Sequence, residues 1–238
     1  MQGRLAALAF HAKALGCEDT TRDFRVRKML EGWARAGGRE ADARFPLTPE
    51  ILARMGKQWA QICRDNYETS LLRAASLVAF FGAFRISELV AAGKRDASRL
   101  ALQWVDFHQR QGKVVFLVRR SKTDQRARGQ RVELGTCTRE DVCPVRAMVE
   151  YVALRGEGDG PLFRHADGGP LTKFQFWSLT QRALEKLGLE GMKFGTHSFR
   201  IGVASTAAAL GYGPREIQSL GWWASASFKT YVRPLPHC

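Results

Sequence analysis

The chain has 238 residues, 45% hydrophobic and 25% charged, the proportions of a globular protein able to bury a core in one large domain or two small ones. Lys and Arg number 37 against 23 Asp and Glu, a formal charge of +14 that predicts an anionic partner, with nucleic acid the first candidate. No apolar run approaches ~18 residues, so no helical membrane span is predicted. The opening M-Q-G-R-L-A-A-L-A-F-H-A-K is too short and interrupted for a signal peptide.

Residues 1–35 carry helical periodicity. Leu5, Leu8, Ala9 and Ala12 mark one apolar face. Phe24, Met29, Leu30 and Trp33 mark a second helix, interleaved with Arg22, Arg25, Arg27, Lys28 and Arg35. Cations around an apolar stripe fit a helix lying on a phosphate backbone, and fit a solvated face equally well. The Gly- and Pro-rich stretch 36–49 reads as a linker. The expected organisation is a helical module with its linker over 1–45 and a main domain over 46–238.

Thr48-Pro49-Glu50 predicts the start of a helix over 51–63. The next, from Glu68, is apolar nearly all round and therefore buried. Arg85 follows it, and a cation at the end of a core helix requires an anion or a carboxylate. Glu88, three residues on, is within reach as that carboxylate; a structural ion pair and a functional group explain the two residues equally well. Leu100–Phe107, Lys113–Val118 and Arg131–Leu134 alternate as strands, with Gln111-Gly112 as the first turn. The second connection, R-R-S-K-T-D-Q-R-A-R-G-Q around Lys122, either lies on backbone phosphates or delivers one lysine into a site. Pro144 opens a helix with Val145, Met148, Val149 and Val152 on one face, closing at Gly156. Thr172 caps another that carries Phe174, Trp177, Leu184 and Leu187 and closes at Gly188. Five Cys, none in C-x-x-C spacing, predict a reduced intracellular protein rather than a disulfide scaffold or a zinc site.

The stretch from Lys193 to Pro234 reads as three short helices. Thr196 is placed to cap the first, from His197 toward Leu210, with Gly211 as its stop. Gly213-Pro214 starts the second and Gly221 ends it; Ser225 caps the third, which contains Tyr231 and ends at Pro234. His197 and Arg200, three apart, share one helical turn. A cation, an imidazole, the indole of Trp222 and the phenol of Tyr231 are the groups needed to grip and attack a phosphate. The stretch 204–221 also reads as helix–turn–helix, a DNA-binding arrangement that needs no chemistry.

Taken in order, G-A-F-R-I-S-E-L, S-K-T-D, T-H-S-F-R-I-G, L-G-W-W and Tyr231 closely resemble the motifs of the tyrosine recombinase (phage integrase) family, over about 47–234. The phrases H-S-F-R-I-G and S-F-K-T-Y-V-R are most similar to recombinases of DIRS and Ngaro retrotransposons. The resemblance implies a mostly α catalytic domain with a small three-stranded antiparallel sheet, preceded by a helical DNA-binding module. It also implies that 1–45 is a shortened form of that module.

The roles the resemblance implies are specific. Arg85 and Arg200 would clamp the scissile phosphate, with His197 as a hydrogen-bonding acid or base. Lys122 would protonate the leaving 5′ oxygen, and Trp222 would donate its indole N–H to a phosphate oxygen. Tyr231 would attack phosphorus to give a 3′-phosphotyrosyl bond, with Glu88 supporting Arg85 or His197. Double-stranded DNA is the implied partner, with self-assembly into a synaptic tetramer on it; no cofactor and no metal are implied. The implied location is at DNA, in the nucleus for a eukaryotic protein. A recombinase-fold protein that only binds DNA and a type IB topoisomerase are the other activities compatible with these motifs.

Overall fold

A computed structural model describes residues 2–36, 42–96, 100–119, 129–223 and 225–235 of the chain. The contacts divide it into two units, Met1–Ala43 and Arg44–Cys238. No helix among the described residues is long and apolar enough to cross a membrane.

The first unit holds α1, Gln2–Ala14, and α2, Phe24–Ala36. A tight turn at Thr20–Arg22 joins them, capped by Asp19, whose carboxylate accepts the Thr21 N–H at 3.1 Å. Leu5, Ala9 and Ala12 are half-buried on α1, as Val26 and Leu30 are on α2. Leu8, Phe24, Met29 and Trp33, which belong to the apolar faces read from the sequence, are exposed. The two helices are too few to cover every apolar side chain they carry, so only one narrow stripe of each is sheltered.

In the second unit, Thr48 accepts the Ile51 N–H and starts α3, Pro49–Ile62, which buries Ile51, Leu52, Met55 and Trp59 along one face. Asp65 caps α4, Asn66–Phe81, through the Glu68 N–H at 2.8 Å. This helix is buried over Ser70–Phe80 except at Arg73, as its lack of a polar face requires. It packs against α3, α6 (Pro144–Arg155) and α8 (Ser198–Ala209), and the side chains it buries include the small Ala74, Ala75, Ser76 and Ala79. Burial of Tyr151 on α6 pushes its phenol up, with its hydroxyl donating to the Leu162 carbonyl at 3.0 Å. That anchor turns α6 so that Ala147 and Tyr151 lie inside with Val145 and Met148, while Val149 is exposed, contrary to the predicted face.

The sheet is antiparallel, ordered β1 (Phe107–Arg110), β2 (Lys113–Val118), β3 (Gln130–Gly135), with Phe107 opposite Phe116 and Phe116 opposite Val132. The predicted first strand, Leu100–Phe107, is wrong. Its centre is a 3-10 turn at Trp104–Asp106, because the buried Asp106 carboxylate accepts the Gln103 N–H at 3.1 Å and pairs with Arg119. Leu102 meanwhile hydrogen-bonds the backbones of Glu88 and Leu162, so its alternation with polar neighbours reflects loop packing, not a ladder. On α7, Lys173–Lys186, the Thr172–Gln175 capping box is present, but Phe176 is buried and the predicted Phe174 is exposed.

Candidate active site

Six of the predicted residues converge where the end of α4, the start of α8 and the C-terminal turns meet. After α4 the chain reverses through Gly82 and Ala83, the latter in the left-handed region at φ 47°. Arg85 then leads into α5, Ile86–Leu89. Glu88 on that turn is 3% exposed, and its carboxylate accepts from the Arg85 backbone N–H at 2.9 Å and the Arg85 guanidinium at 2.8 Å. One edge of the guanidinium is thereby fixed while its side chain keeps 22% exposure.

His197 stands at the N-cap of α8, although neither it nor Thr196 caps the helix through a side chain; the Ser198 hydroxyl accepts the Gly195 N–H at 3.0 Å instead. Arg200, one turn in, is 2% exposed. It donates to the Ala83 carbonyl and, at 3.5 Å, to the Gly221 carbonyl, while its Nε has no partner among the described residues. Its guanidinium carbon lies 5.6 Å from the Trp222 ring, 4.8 Å from Trp223 and 5.5 Å from Tyr231. Burial first, and the charge of Arg85 next, hold this arginine below its usual range; Tyr231 and Glu88 pull the other way.

Trp222 follows Gly221 at the end of α9, Pro214–Leu220, in the left-handed region at φ 43°. Its indole N–H, expected to face a phosphate, donates to the Gly82 carbonyl at 2.9 Å. Its ring lies 5.8 Å from the Arg85 guanidinium and edge-on to Phe84. Tyr231, expected inside a helix, instead stands at the end of a 3-10 turn, Ala226–Thr230, which Ser225 caps as predicted. The Tyr231 ring is parallel to His197 at 6.4 Å between centroids. Its carbonyl accepts from the buried Ser205 hydroxyl at 3.2 Å, and the same hydroxyl accepts the Arg233 N–H at 2.9 Å.

Arg85, Glu88, His197, Arg200, Trp222 and Tyr231 therefore form one cluster, while Lys122 lies outside the described residues. Sequence reasoning missed the Gly82 and Ala83 carbonyls, Ser205 and Trp223 as parts of this cluster. The W-W doublet was a usable signal for Trp223. Nothing local marks Ser205, whose role depends on a segment 26 residues away. A separate cavity of about 830 Å³, lined by Arg64, Glu68, His165 and Arg182, lies at the opposite end of α4.

The model of the phage integrase family matches residues 56–236, which takes in every member of the cluster. The chain belongs to the phage integrase family. One curated relative of this chain, the integrase/recombinase xerD homolog of Selenomonas ruminantium, is 27% identical over 206 residues. That alignment takes in 81% of this chain and 54% of the relative, so the chain spans about half the length of the curated relative it matches. Among solved structures, XerH site-specific recombinase bound to palindromic difH substrate superposes with a TM-score of 0.59 at 19% identity, over 80% of this chain and 50% of that one. XerA recombinase gives 0.58 at 16%, over 96% and 76%. A lambda integrase dimer bound to a COC' core site gives 0.56 at 16%, over 96% and 78%. What these structures share with this chain is the fold: a mostly helical domain with a three-stranded antiparallel sheet.

Proposed function

We propose that this integrase cleaves and rejoins DNA strands through a 3′-phosphotyrosyl intermediate on Tyr231, in site-specific recombination. The observation that carries the reading is Arg200: a buried guanidinium whose Nε–H has no partner among the described residues, beside a second cation, and 5.5 Å from the Tyr231 ring. Buried donors are almost always satisfied, so an unmet N–H on a desolvated cation marks a place for an anion. A phosphodiester supplies one, and the formal charge of +14 favours a polyanion. The DNA complexes of XerH and lambda integrase support the same partner.

In the proposed reaction, Arg85 and Arg200 meet the charge that develops on the non-bridging oxygens, and Glu88 holds Arg85 at its post. Tyr231 oxygen attacks phosphorus and the 5′ oxygen leaves, with Lys122 as its proton donor. The phenol gives up its proton as its oxygen bonds to phosphorus, and the neighbouring guanidiniums face the phosphate charge that this step builds up. In this reading His197, whose ring is parallel to that of Tyr231, assists as a hydrogen-bonding acid or base. Attack by a free 5′ hydroxyl on the phosphotyrosyl bond reverses the step on the same or a different strand. Trp222 reaches a phosphate oxygen only by exchanging its bond to Gly82 for it. Assembly into a synaptic tetramer and kinship with DIRS and Ngaro elements belong to the same proposal, the latter on the phrases H-S-F-R-I-G and S-F-K-T-Y-V-R.

The test is a nicked suicide duplex drawn from the flanks of the gene. Wild type accumulates a covalent protein–DNA adduct, and Tyr231→Phe forms none while binding DNA within about threefold, because affinity rests on many phosphate contacts. An adduct persisting in Tyr231→Phe excludes Tyr231 as the nucleophile.

A further inference from the structure

We infer that Trp223 is a positioning residue that sets the Tyr231 ring against the Arg200 guanidinium; the inference rests on the reading of Tyr231 as the nucleophile. Trp223 is 6% exposed and lies beside both groups. Its ring lies 4.8 Å from the Arg200 guanidinium, nearer than Trp222 or Tyr231, and 5.5 Å from the Tyr231 centroid at 40° between planes. Phe228 backs it at 6.4 Å. The indole thus packs against the cation and the phenol at once, and its place fixes their relation.

Two further observations show that packing, not a hydrogen bond, holds the ring there. The Trp223 indole N–H is buried with no partner among the described residues. The ring also lies over the backbone of Gly221, where a Cβ would fall 1.8 Å from the indole Cζ3 and 2.1 Å from Cη2. Gly221 is therefore the cradle that admits the ring, and it also presents the carbonyl that Arg200 reaches. Trp222 is engaged elsewhere, with its N–H on Gly82 and its ring facing Phe84 and Arg85. Because attack needs the reacting atoms aligned, a ring displacement of about 1 Å is enough to slow the step about 100-fold without altering DNA affinity.

The experiment places 3-fluorotyrosine at position 231 of the full chain and compares wild type, Trp223→Leu and Trp223→Phe. Fluorine NMR of the DNA-free protein reports the ring's surroundings, and single-turnover adduct formation at saturating suicide duplex reports the chemistry. Trp223→Leu is expected to move the fluorine resonance and slow adduct formation about 10–100-fold, with DNA affinity within about threefold of wild type. Trp223→Phe keeps an aromatic filler; it is expected to give a smaller displacement and a loss of about threefold. An unmoved resonance, or wild-type rates in both variants, overturns the inference. Equal losses of DNA binding and of rate, with a lowered melting temperature, also overturn it, since they assign Trp223 to the core alone. Where Trp223→Leu does not fold, Trp223→Phe decides by the same two readouts. If wild type itself forms no adduct, the phosphotyrosyl reading fails, and the resonance still decides whether Trp223 positions Tyr231.

Discussion

At Arg200 a single side chain is bound by geometry on several sides: a carbonyl from Ala83, another from Gly221, and the rings of Trp222, Trp223 and Tyr231. A planar fork satisfies that set and an ammonium does not. Arg200→Lys should therefore lower adduct formation by about 10²–10³-fold, the scale of losing one preorganised donor at the developing charge. A loss below about threefold in single-turnover cleavage would show that Arg200 only fills the core. Lys122 calls for a different measurement. If it protonates the 5′ oxygen, Lys122→Ala loses about 10²–10⁴-fold on ordinary DNA and little on a strand with sulfur as the bridging 5′ atom, because a thiolate leaves without that proton. Equal slowing on both strands would reduce Lys122 to a phosphate contact. Arg200 and His197 were legible in T-H-S-F-R because three-residue spacing puts two groups on one turn. The engagement of the Trp222 N–H with Gly82 was not, since it joins positions 140 residues apart.

Between α8 and the segment entering α3, the site depends on one glycine. A Cβ on Gly202 would lie 1.8 Å from the Leu47 carbonyl oxygen and 2.9 Å from the Phe80 ring, and the first of these is backbone that cannot swing aside. The Leu47 N–H also bonds the Ser198 carbonyl at 3.0 Å, so the two segments are joined one turn before the contact. Gly202→Ala should destabilise by about 3 kcal/mol or more, at the upper end of what overpacking does, seen as a lower urea midpoint with little change in slope. A midpoint within error of wild type would mean that α8 shifts freely, and with it Arg200. Elements whose signals are local were readable: the caps at Thr48, Thr172 and Ser225, the stop at Gly221, and the buried α4. Elements set by distant partners were misplaced. The false strand at Leu100–Phe107 yielded to the Asp106 turn, and the α6 face followed Tyr151. Tyr231 fell outside a helix because five residues of 3-10 turn suffice to bring it beside Arg200.

For the whole molecule the governing quantity is charge. With +14 in excess, a DNA complex that neutralises ~6–10 phosphates should show a log–log salt slope of roughly −5 to −9. The slope counts contacts without requiring that any be seen, so it can apportion them. Arg25, Arg27 and Lys28 on α2 sit among the exposed Phe24, Met29 and Trp33. Arg25 is close to Asp23 at 3.4 Å and Lys28 to Glu31 at 2.8 Å, exposed pairs that yield readily to phosphate. If all three cations lie on the DNA backbone, replacing them with Ala should flatten the slope by about 2.7, from ~0.9 per contact, and weaken binding most at low salt. Titration by fluorescence anisotropy across several salt concentrations measures both. An unchanged slope would place the phosphate contacts entirely on Arg44–Cys238 and leave α2 as a solvated basic helix, the reading that its sequence admitted equally well.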